Sequence, residues 1–73
     1  MTTICSDTVG SVVYALERIE AFDEDSFVLI EIRPRMDMDI LCQFDSRAEA
    51  EAVYAGVIGA AMIRHSNALL VAG

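Results

Sequence analysis

Few residues of this chain could carry covalent chemistry, and their spacing argues against it. A hydrolytic triad needs a nucleophile, a histidine base and an orienting acid brought together, yet the only histidine is His65. It follows Arg64 at the end of an Ala-rich segment, where a helix C-terminus favours such residues for their interaction with the helix dipole. The chain has no lysine for Schiff-base or phosphate-clamp chemistry, and Gly10, Gly56, Gly59 and Gly73 match no phosphate-binding loop. Cys5 and Cys42 lack the spacing of a metal site, and one pair is too sparse for a disulfide scaffold. They are expected to be free thiols in a reducing cytosol. The chain reads as a non-enzyme with no cofactor and no metal.

The carboxylates point elsewhere. Asp37 and Asp39 stand two apart on a run with strand periodicity, so they project from one face roughly 6.6 Å apart. A hard cation takes six or more oxygens, and only Glu31 and the Asp23, Glu24, Asp25 run could add carboxylates. A cation site, an acid/base pair and an anionic comb facing a basic partner all compete with a plain solvated face. The comb is favoured because the acidic surplus extends well beyond two residues. The candidate partner-binding set is Asp37 and Asp39, with Glu31, Asp23, Glu24 and Asp25 around them.

Twelve acids against five arginines give a net charge of −7 over 73 residues. Direct nucleic-acid binding is disfavoured, because a phosphate backbone is held by clustered Lys and Arg. A basic protein, including one that itself binds nucleic acid, is the favoured partner. All twelve acids fall within residues 1–51, and residues 52–73 have none. The acidic part is the expected binding surface, and the C-terminal part the expected core or subunit contact.

Positioning these residues requires a fold, and 55% hydrophobic composition with one proline is enough to build one small domain over residues 1–73. Val9, Val12, Val13, Leu16 and Ile19 recur at helical spacing and predict a first helix over residues 7–22. Alternation then predicts strands over residues 27–33 and 37–44, joined through Pro34 and Arg35 as an antiparallel hairpin. Met38, Ile40, Cys42 and Phe44 would share one face, while Leu41 would join Asp37 and Asp39 on the other. Ser46 with Glu49 fits a capping box that opens a second helix, running to about Arg64. Gly56 and Gly59 weaken that helix and suggest close backbone approach to the sheet or to a second subunit. Residues 68–72 read as a third strand after a turn at Asn67. The expected class is α+β, an α-β-β-α-β domain whose three-stranded, mostly antiparallel sheet carries both helices on one face.

The longest apolar run, twelve residues, is short of the roughly 20 that span a bilayer, and the first residues lack the basic and apolar regions of a signal peptide. A soluble cytoplasmic protein is expected.

The passage through Phe44, Asp45 and Ser46, followed by Glu51, Tyr54, Gly56 and Gly59, resembles small phage-encoded anti-CRISPR inhibitors, as does the overall size. The resemblance implies a DNA-mimicking inhibitor that occupies the Lys- and Arg-lined surface of a CRISPR surveillance complex in a bacterial host's cytosol. The alternative is a homo-oligomeric structural or accessory subunit, such as a homodimer, with the Ala/Gly-rich second helix as its seam.

Overall fold

A computed structural model describes residues 1–72. Four strands, β1 (Thr2–Val9), β2 (Val12–Ile19), β3 (Ser26–Arg33) and β4 (Asp37–Phe44), precede a single helix, α1 (Arg47–Ala72). The strands pair antiparallel in the order β1-β2-β3-β4, so each lies beside its neighbours in sequence.

The structure differs from the expected α-β-β-α-β order in two places. The predicted helix over residues 7–22 is a β-hairpin, which makes the sheet four-stranded and leaves one helix rather than two. Its composition explains why: Thr2, Thr3, Ile4, Thr8, Val9, Val12 and Val13 are β-branched, stiff at χ1 and better fitted to a pleated sheet. Gly10 and Ser11 form a two-residue turn between the paired Val9 and Val12. Gly10 takes φ +64°, and glycine at the first central position suits the twist of a tight hairpin. The predicted third strand over residues 68–72 is instead the last part of α1. No glycine or proline separates Gly59 from that segment, and alanine and leucine propagate a helix well.

The β3–β4 hairpin forms where alternation placed it. A 3-10 turn (Pro34–Met36) connects the strands, with Arg35 at φ 75°. A residue with a Cβ in this left-handed region costs roughly 1–2 kcal/mol. Within the pairing, the register shifts between Leu29 and Ile30, so that Cys42 and Phe44 lie opposite Leu29 and Phe27. Met38 and Ile40 lie opposite Ile32 and Ile30. Paired residues share a face, so the expected single face of Met38, Ile40, Cys42 and Phe44 is split in two. Leu41 is the unpaired residue of this bulge.

Leu16 and Leu29 are completely buried at the centre of the covered face. Around them Tyr14, Phe27 and Phe44 meet Ala50, Tyr54 and Ala61 of α1. Full burial of a leucine contributes about 1.5–3 kcal/mol, so this layer fixes the helix on the sheet. Ser46 Oγ accepts the Glu49 N–H at 3.3 Å and the Ser46 carbonyl accepts the Ala50 N–H at 3.0 Å, which starts α1 at the predicted cap. From the end of β4 the helix runs back along the sheet to the β1–β2 turn, where a Cβ on Gly10 would stand 3.0 Å from the His65 ring. The other face of the sheet carries Ala15, Val28 and Ile30 with Ile19 and Ile32. Ala15, Val28 and Ile30 are buried, at 5%, 4% and 7% exposure, and form a second, smaller cluster apart from the one that α1 joins.

Candidate partner-binding site

The meander sorts the carboxylates to two ends of the sheet. Arg33 pairs with Asp37 at one end of the β3–β4 ladder and Phe27 with Phe44 at the other. At about 3.3 Å per residue, β3 separates these ends by roughly 20 Å.

At the first end the structure brings Glu31, Asp37 and Asp39 together, as their spacing predicted, but with a basic residue among them. Arg33 contacts Asp39 at 2.7 Å and Glu31 at 3.1 Å. The hydrogen bond and charge of Asp39, and then the charges of Glu31 and Asp37, push the Arg33 pKa up. With Arg35 in the adjoining turn, three acids face two arginines, and little net field remains.

Asp23, Glu24 and Asp25 lie in the β2–β3 loop at the opposite end, so the six predicted residues do not form one site. The end of β4 and the start of α1 arrive at this same end and bring Asp45, Glu49 and Glu51, while Glu20 follows β2. Seven of the twelve acids thus gather with two arginines, Arg18 and Arg47. Arg18 contacts Glu20 at 3.1 Å and lies 3.9 Å from Asp25, and Arg47 meets Glu51 at 2.9 Å. Among the described residues, Asp23, Glu24, Asp45 and Glu49 make no ion pair.

Phe22 sits inside this cluster with its whole side chain in solvent, at 103% relative exposure. Phe22 lies in the loop between β2 and β3 rather than at the end of the helix that the spacing of residues 7–22 predicts, so the predicted site residues do not include it. The signals were the hairpin chemistry of Gly10-Ser11 and an aromatic residue directly before an acidic run. A flat apolar side chain in a charged rim is the pattern of a protein-binding hot spot.

The end of the sheet holding Gly10 contains the more reactive groups, and they are tied into the fold. Tyr54 donates to Asp7 at 2.7 Å and approaches the Tyr14 carbonyl oxygen at 3.2 Å. Burial, then the bond and charge of Asp7, hold the Tyr54 hydroxyl well above the ordinary phenol range. Burial raises the Tyr14 hydroxyl too, with a contribution from Glu31. Midway along the sheet, in the row of Leu16 and Leu29, Cys5 is raised first by burial, then by Asp7 and Glu51, the opposite of thiolate activation. His65 lines a shallow hollow with Asp7, Thr8 and Gly10.

No protein-family model, curated protein or solved structure matches this chain. The site therefore rests on its own chemistry. Among the described residues, no three His, Cys, Asp or Glu side chains are grouped to hold a metal ion, and no helix is long and apolar enough to cross a membrane. Cys5 and Cys42 are free. Leu16 and Leu29 stand between them in one cross-strand row. Three strand spacings separate the two cysteines by about 14 Å, beyond the reach of a disulfide.

Proposed function

We propose that this chain is a non-enzymatic binding protein that presents the Phe22 loop and its surrounding carboxylates to a basic, nucleic-acid-binding surface of another protein. The observation that carries this reading is the fully exposed Phe22 among Glu20, Asp23, Glu24 and Asp25. Desolvating the ring supplies affinity, and the carboxylates supply long-range steering and selection for cationic surfaces. Inhibition of a CRISPR surveillance complex, by occupying its DNA-binding surface, is the specific form of this reading.

The test is competition with DNA for a purified surveillance complex, using the wild type, Phe22→Ala, and the triple variant Asp23→Asn, Glu24→Gln, Asp25→Asn. Phe22→Ala is expected to weaken binding by about 2 kcal/mol, roughly thirtyfold, at every salt concentration. The triple variant is expected to flatten the salt dependence, because exposed charges are screened by added ions. Equal competition by all three proteins rejects the Phe22 loop as the binding surface, and no competition by the wild type rejects this target.

A further inference from the structure

Beyond Glu51 the sequence contains no acid, and its one fixed cationic side chain is Arg64. Successive helical residues turn by about 100°, so Ala52, Gly56, Gly59, Ile63 and Leu70 lie on the side of α1 opposite Tyr54 and Ala61, which pack on the sheet. Ile63 and Leu70 are 64% and 77% exposed, and Met62 and Leu69 flank them at 58% and 61%. Nothing stands within 4 Å of a Cβ built on Gly56 or Gly59. A solvent-facing helix surface gains nothing from glycine, which weakens the helix against alanine.

The molecule as a whole exposes more surface than its mass requires. Its accessible area is 5026 Å², against about 4450 Å² for a folded monomer of this mass. Its radius of gyration is 13.6 Å, against about 11 Å for a compact chain of this length. The surplus, nearly 600 Å², is about what each partner buries in a small specific interface.

We propose that a second copy of the chain covers this outward face, in a two-fold dimer whose α1 helices run antiparallel. Charge selects both the surface and the direction. Each copy carries −7, so two copies associate most readily through the segment that has no acid. A parallel pair would set seven carboxylates beside seven, whereas an antiparallel pair sends the two acidic ends apart. Shape selects the same direction. Of the five residues named on this face, Ala52, Gly56 and Gly59 lie in the first half of α1, and Ile63 and Leu70 in the second. Antiparallel alignment sets Ile63 on Gly59 and Leu70 on Ala52 of the partner copy. The two-fold axis repeats each contact with the roles reversed. Parallel alignment would set Ile63 against Ile63 and leave Gly56 facing Gly56 across a gap. This dimer is independent of whether the Phe22 loop binds a basic protein, and its test reads self-association alone.

Sedimentation equilibrium of the full chain over the micromolar range is the test, with Gly59→Leu and Ile40→Lys as variants. Gly59→Leu removes the floor for the partner's Ile63. It is expected to raise the dimer Kd at least tenfold, while its monomer melts no lower than the wild type because leucine favours helix and meets open space. Ile40, 64% exposed, pairs with Ile30 on the sheet face away from α1, and Ile40→Lys is expected to leave Kd within twofold. A wild type that stays monomeric overturns the proposal. So does a dimer that Ile40→Lys breaks and Gly59→Leu spares, or one that neither variant moves.

Discussion

The two ends of the sheet use their polar groups in opposite ways. At the Gly10 end, Tyr54 donates to Asp7, Arg33 pairs with Glu31 and Asp39, and the His65 ring rests against the hairpin turn. At the Phe22 end an aromatic ring and several carboxylates stand in water, with two arginines to serve seven acids. Groups engaged within the fold are expected to carry stability. Groups left unengaged can be spent on a partner without loss to the fold.

The largest effect is expected at the hairpin turn. Gly10→Val would force a β-branched residue to φ +64° and drive its Cβ to 3.0 Å from the His65 ring. A loss of about 2–3 kcal/mol is expected from strain and displaced packing together, read as a lowered urea midpoint. A midpoint equal to the wild type would show that the turn is not held as described, and the contrast between the ends would fail.

A smaller effect is expected at Tyr54, and it depends on pH. The folded chain keeps the Tyr54 proton where the unfolded chain, with an ordinary phenol pKa of about 10, releases it. The stability this contributes is whole below pH 10 and drains away as pH rises past it. Tyr54→Phe is expected to cost about 1–2 kcal/mol at pH 7, through the lost bond to Asp7, and to shrink the alkaline fall in melting temperature. Tyr14, raised in the same direction, would leave part of that fall in place. An unchanged alkaline profile in the variant would move the cause elsewhere.

The smallest effect is expected at the other end. Phe22→Ala should change stability by less than about 0.5 kcal/mol, since a fully exposed side chain has no packing to lose. A marked loss in thermal melts would mean that Phe22 is buried in solution, which would remove the surface proposed for the partner.

The β3–β4 hairpin and the start of α1 were legible because each rests on local chemistry: alternation, a proline at a turn, and a serine cap with Glu49 three residues on. Residues 7–22 were not. Val9, Val12, Val13, Leu16 and Ile19 satisfy helical spacing, but Val9 and Val12 belong to different strands, and Gly10-Ser11 between them is the turn. Residues 68–72 misled for a related reason, since a short apolar run has no period and only the absence of a stop signal after Gly59 marks it as helix. The candidate site inherited these errors. Charge counting found the acidic surplus, but dividing it between the ends required knowing that β2 is a strand. That assignment carries the β2–β3 loop to the helix start and leaves Asp37 and Asp39 with Arg33. The bulge at Leu41 is likewise invisible to alternation, which assumes that every residue is paired.

The uninterrupted strand order β1-β2-β3-β4 also bears on how quickly the chain finds its fold. Each strand pairs with the next one in sequence across a short connection, so most native pairings close small loops. Topologies of this kind meet a low entropic barrier and fold faster than sheets whose partners are distant in sequence. The long-range event is the docking of α1, which returns Tyr54 to Asp7 across 47 residues. Helix docking is therefore the step on which rapid mixing should find the folding rate to depend. Hairpin formation is expected to precede it, so truncating Tyr54 should slow folding more than truncating Val28 on the face away from α1.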